Sequence, residues 1–351
     1  MPGHSGVGFP LSSSTVLDPA RARYLPAVTG DSFLLAPDEP LGEGLQRLSL
    51  GQLEEAMAGF VDPAASIDDA IHRARKATKR LRAILRLVRP EIGERVYRFE
   101  NRTLRDAARL VSGVRDAAVA VETVRLLADR FDGSLPIDVF DDLSECLDRR
   151  YLRIRQRIVE DSRAVAEVVA SLERSRARFA GWPTGEAVKK VYGSAIRNRF
   201  DAVGPGLGLT YARGRREMKR AMISPTAVNF HLWRKRVKYL RYQTEILRSV
   251  WPEVVGGAAI TLERLSEHLG QEHDLAELLS LLAVDSQLCP DPVERSLFAA
   301  VAQHRRAELQ VGSNVLGMRV YAEKPSQFVD RLGVYWKSNR LSTGVGIVAD
   351  V

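Results

Sequence analysis

His72-Arg73-Ala74-Arg75-Lys76-Ala77-Thr78-Lys79-Arg80-Leu81-Arg82 aligns without a gap on His231-Leu232-Trp233-Arg234-Lys235-Arg236-Val237-Lys238-Tyr239-Leu240-Arg241, 159 residues later. Six of the eleven positions are identical, and five of those six are polar. Chance likeness between two amphipathic helices would concentrate in the apolar positions. Identity in the polar ones marks an internal duplication. A weaker match sets Val114-Arg115-Asp116 over Glu272-His273-Asp274, so each half carries a basic helix followed some 40 residues later by an aspartate.

Around these two segments the apolar residues recur at helical spacing through most of the chain, and no stretch alternates as a strand would. The sequence predicts an all-α protein. Breakers fall at Asp62-Pro63, Pro90, Gly133 to Pro136, Gly181 to Pro183, Gly204 to Gly208, Ser224-Pro225 and Pro252. Ser66 with Asp69 resembles a capping box, and Ser224-Pro225 reads as an N-cap followed by a first-turn proline. Long helices are expected over about 67–89 and 225–250. Residues 1–40, rich in Pro, Gly and Ser, read as a mobile leader or a loosely packed arm. The folded part is expected from Leu41, as a first helical half over 41–181, a second over 182–340 and a tail over 341–351.

At 100° per residue, His72, Arg75, Lys76, Lys79, Arg82 and Arg86 fall within an arc of about 120°. Ala74, Ala77, Leu81, Leu85 and Val88 take the other side. The second copy repeats the stripe with His231, Arg234, Lys235, Lys238 and Arg241. Residues 71–90 and 230–249 together carry a net +13, whereas the whole chain of 351 residues carries +8, so the remainder is acidic overall. Like charges one turn apart cost a few tenths of a kcal/mol each. A duplicated stripe of them makes sense if an anion lies across it, with Arg supplying planar forks and Lys point charges to phosphate oxygens. A solvated basic face is the competing reading, and repetition of the same polar residues favours binding.

For His72 and His231 three roles compete: anion donor, packing group or metal ligand. Metal comes last, because Arg and Lys one turn away repel a cation. Donation to the anion should strengthen as the pH falls towards 6. Asp274, after an expected helix stop at Leu269-Gly270, reads most simply as an N-cap with Glu277, and Asp116 likewise; pairing with an arginine of the stripe is the alternative. Glu245 is expected to orient Arg241. Tyr211 to Arg220 forms a further basic helix, either solvated or an accessory wall.

Two cysteines far apart, Cys146 and Cys289, exclude a disulfide framework or zinc ribbon and suit a reducing cytosol. No run of 18 apolar residues supports a membrane span, and the first residues lack the pattern of a secretion signal. No Walker loop, GxSxG or His-Glu-x-x-His is present, so neither an enzyme nor a cofactor or metal site is expected.

The repeated His-x-x-Arg-Lys-x-x-Lys-x-Leu-Arg, with Val114-Arg115-Asp116 and Leu269-Gly270-Gln271-Glu272-His273-Asp274, resembles the CHAD family, named for a conserved histidine α-helical domain. The resemblance covers about 41–340, including Ala322-Glu323-Lys324-Pro325 to Tyr335-Trp336. It implies two pseudo-symmetric four-helix bundles enclosing a basic central channel that binds inorganic polyphosphate, without catalysis, in the cytoplasm or at polyphosphate granules. Carried over by position, the binding residues are His72, Arg75, Lys76, Lys79, Arg82, His231, Arg234, Lys235, Lys238 and Arg241. The chain departs from the family pattern at Ala118, where a second acid is usual, and at His273, where Asn is common. The rival partner is nucleic acid, which attracts any basic stripe. Stacking aromatics should then line it, and only Tyr242, with Tyr239 at the margin, is so placed.

Overall fold

The computed structural model describes residues 33–37, 39–62, 64–131, 138–181 and 196–342. Among them every regular element is helical and none is a strand: α1 (Leu41–Val61), α2 (Ile67–Leu87), α3 (Arg89–Leu110), α4 (Ser112–Arg130), α5 (Asp138–Glu160), α6 (Ser162–Ala180), α7 (Gly204–Ile223), α8 (Ala227–Ile246), α9 (Pro252–Val284), α10 (Pro292–Val320) and α11 (Pro325–Ser342). The expectation of an all-α chain holds. The breakers at Pro63, Gly133 to Pro136 and Trp182-Pro183, residues 1–32 of the leader and 343–351 of the tail lie outside the described residues.

Helix α2 follows from its sequence. The Ser66 hydroxyl accepts from the Asp69 backbone N–H (3.1 Å), and Asp68 and Asp69 sit where the helix dipole favours acids. Ala74, Ala77, Leu81, Ile84 and Leu85 are buried on one face. Burying each of the larger ones stabilises by about 1.5–3 kcal/mol, which outweighs the like-charge cost on the opposite face. The helix ends at Leu87, earlier than expected, because Val88 turns out of helical geometry before Pro90 opens α3. Helix α8 also differs from expectation. Ser224 terminates α7, and Thr226 is the cap, its hydroxyl accepting from the Asn229 N–H (3.3 Å).

Helices α1, α2, α3 and α6 pack in a closed ring. In the second half α7 packs on α8, α8 on α9 and α9 on α10, with α10 touching α7 and α11 lying on α7. The halves meet twice. Helix α2 crosses α8 beside α7, which packs on α2 and α3, and α4 with α5 joins the far ends of α9 and α10 in a shared core built on Val124, Leu143, Leu278 and Phe298. Gly204 to Gly208 is no break: α7 starts there, and Gly206 lets it press on the end of α2, since a Cβ would stand 2.0 Å from the Leu87 carbonyl oxygen. The described stretch just before α1, the end of the expected leader, is docked on the helices. The Leu35 N–H donates to the Ile246 carbonyl (3.0 Å), and Glu39 accepts from Arg47 (2.5 Å).

Candidate anion-binding site

The crossing of α2 and α8 builds the site. At its centre the Gln243 side chain donates to the Ala83 carbonyl (3.1 Å). On one side Arg80 reaches Glu245 at 3.6 Å; on the other the Arg86 guanidinium lies 3.8 Å from the Tyr239 ring centre. Positions 80 and 239, like 86 and 245, correspond under the repeat of 159, so each contact is the image of the other. The basic stripes therefore run towards each other from the two halves.

Their central residues meet. Burial, then the charges of Arg75, Arg234 and Arg115, lowers the Lys79 pKa from 10.5 to about 8. Burial, then Arg234 and Lys79, pushes Lys238 well below its ordinary value. Arg234 is lowered by burial and by Arg75, against the pull of Asp274. Each half thus feels the cations of the other. Neither Lys79 nor Lys238 has an ion-pair partner among the described residues.

The aspartates take the role that the capping reading passed over. Asp116 accepts from Arg75 at 3.0 Å, and its image Asp274 lies 3.6 Å from Arg234. Neither is an N-cap. Asp116 sits inside α4 and Asp274 inside α9, which continues through Leu269-Gly270 without a stop. Burial of Leu265, Leu269 and Leu275 against the neighbouring helices outweighs the cost of about 1 kcal/mol for a glycine inside a helix. Glu245 is also corrected: it meets Arg80, while Arg241 bonds Glu263 of α9 (2.5 Å).

The ten expected residues do not all converge. Arg75, Lys79, Arg234 and Lys238 form the centre, with His72 and Lys76 extending it on α2 and His231 and Lys235 on α8. Arg82 is drawn to Asn101 (3.1 Å) and Arg241 to Glu263, so both are held towards α3 and α9. The sequence pointed to Arg115 and His273 only as aligned letters. In the structure Arg115 adds its charge to His72 and Lys79, and the His273 Nδ1 stands 3.2 Å from the His231 Nδ1. One imidazole of that pair must donate and the other accept.

Burial, then Lys235, Arg234 and Lys238, holds the His231 pKa down at about 4. Burial, then Arg234 and His231, holds His273 at about 3. His72 is lowered by burial, Arg115 and Lys79. Without an anion, His231 is therefore neutral at pH 6 and offers one ring N–H or one lone pair. Among the described residues no three His, Cys, Asp or Glu side chains gather as a metal site. None of the described helices is long and apolar enough to cross a membrane.

The chain matches the family model of the CHAD domain over residues 48–283. It belongs to the CHAD family. No curated protein matches it. The CHAD match covers both stripes, both aspartates and the His231–His273 pair, and ends one residue short of the end of α9. The similarity read over Ala322 to Trp336 lies beyond it, on α11 and the turn before it.

Proposed function

We propose that this CHAD protein binds inorganic polyphosphate, without catalysis, in a basic passage between α2 and α8. The single observation that carries the reading is the meeting of Lys79 and Lys238, one from each half, half-buried and without a carboxylate on either. Two desolvated ammonium groups kept together cost free energy that the fold does not recover internally. A flexible, repeating anion threaded between them would recover it, with the Arg75 and Arg234 forks held ready by Asp116 and Asp274. Reducing cytosol is the compartment that the two free cysteines suit.

Nucleic acid is the poorer fit. Tyr239 and Tyr242 are only 8% and 7% exposed, and the Arg86 and Arg241 guanidiniums already lie against their rings. Neither tyrosine offers a free face to a base. The test is a titration of the full chain with long-chain polyphosphate and with single-stranded RNA of matched charge in the same buffer. Polyphosphate is expected to bind more tightly, with affinity falling steeply as salt rises because several counterions are released together. Equal affinity for the RNA, or a flat salt response, contradicts the proposal.

A further inference from the structure

Past the crossing, on the Tyr239 side, a narrow cleft is lined by Arg86, Arg89, Arg213, Arg236, Thr210 and Tyr239. It draws on four elements, α2, the start of α3, α7 and α8. Tyr97 and Tyr239 fix the cations of one wall: Arg89 lies 4.5 Å from the Tyr97 ring centre, and Arg86 is in contact with both rings. Among the described residues, of the four arginines only Arg89 has a carboxylate partner, Glu94 at 2.6 Å. Arg213 and Arg236 have none among the described residues, and the Arg236 Nε is buried without a hydrogen-bond acceptor. Burial, then Arg236 and Arg89, lowers the Arg213 pKa.

The image of this cleft under the repeat is not basic. Glu245 stands where the cleft has Arg86, and Ala77 where it has Arg236. There Arg80 donates to Gln52 (3.2 Å) and lies 3.6 Å from Glu245 and 3.9 Å from Glu55, so its charge is balanced by two carboxylates, although its Nε, like that of Arg236, is buried without an acceptor. Duplication therefore left one side of the crossing neutralised and the other with a surplus of guanidiniums, which a solvated surface does not require, since half-buried like charges repel. The surplus is also continuous with the central site. Arg75, Lys79 and Arg86 follow one another at i+4 and i+7 along one face of α2, a row of about 17 Å at 1.5 Å per residue.

We propose that the cleft is a second phosphate subsite, at the far end of the path that begins between Lys79 and Lys238, and that one polyphosphate chain occupies both. This rests on the polyphosphate reading above. It makes affinity depend on length, because a chain spanning the row gains the second set of contacts as an intramolecular step. Tripolyphosphate, far shorter than the row, fills the central site alone.

The experiment compares the wild type with Arg213→Ala/Arg236→Ala, titrated with long-chain polyphosphate and with tripolyphosphate. The control is Lys219→Ala/Lys337→Ala, which removes two exposed cations elsewhere. Arg213→Gln/Arg236→Gln serves if the alanine pair lowers the melting temperature. A loss of about tenfold or more for the long chain, as two lost charge contacts would give, with tripolyphosphate and the control unchanged, is the expected result. Equal losses for both lengths, or none for the long chain, overturn the subsite while leaving the central site standing. A wild type that binds neither ligand overturns both.

Discussion

The two sides of the α2–α8 crossing descend from the same duplicated residues and have come to opposite ends. On one, Arg80 is 4% exposed and lies beside Glu245, Glu55 and Gln52; on the other, Arg86 lies against Tyr239 with no carboxylate partner among the described residues. A guanidinium surrounded by acceptors holds the halves together. One surrounded by aromatic faces and other arginines costs stability unless an anion is present. The same helix face thus carries balanced charge at one end of a repeat and unbalanced charge at the other, and the count of charges alone does not tell them apart. The partners do.

The largest expected effect lies at the centre. Lys79→Glu with Lys238→Glu should weaken polyphosphate binding by about a hundredfold or more, since two charge contacts become repulsions. Helical circular dichroism should be retained and the melting temperature should not fall, because both side chains stand off the apolar face. Loss of helix would show that the stripe is a structural face.

A smaller effect separates the two sides. Arg80→Met should destabilise by about 2 kcal/mol, because it leaves Glu245 half-buried and unpaired. Arg86→Met, which removes an uncompensated cation, should stay within about 0.5 kcal/mol while weakening polyphosphate binding. Denaturant titration of both variants reads the difference. Equal costs would mean that Arg86 is as structural as Arg80.

The halves also differ around their histidines. His72 faces Arg115, whereas His231 faces His273 and, beyond it, Glu277 at 3.8 Å from the His273 Nδ1. The first arrangement is a cation against a neutral ring. The second is a pair of neutral rings sharing one proton position, so the two copies of the repeat place different donors beside their basic stripes.

The fold class, the repeat and the central cations were legible in the sequence because they depend on spacing within one helix. What escaped depended on neighbours. Gly270 and Gly204 to Gly208 read as breaks, yet burial and close helix approach override a glycine's local preference. Asp116 and Asp274 read as caps because local capping is the commonest use of such a residue, while their arginine partners lie some 40 residues away. Glu245 was assigned to Arg241, one turn off on the same helix, when Arg80 stood nearer across the crossing. Of the cleft, the sequence offers only the basic helix Tyr211 to Arg220 as a candidate wall; its meeting with Arg86, Arg89 and Arg236 joins different helices and has no local signal.

The central claim is that an anion sits between Lys79 and Lys238, and the ionisation of Lys79 reports it directly. In the free protein its pKa stands at about 8. The unfolded chain keeps that proton up to about 10.5, so between these values the unfolded state binds more protons and stability rises with pH. An anion in contact reverses the shift. A site-resolved NMR titration of Lys79, with and without long-chain polyphosphate, is expected to move its midpoint from near 8 to above 10. Affinity should then decline as the pH passes 8, where the free lysine loses its charge. A Lys79 midpoint unchanged by saturating polyphosphate would contradict the account, since the anion would then lie elsewhere.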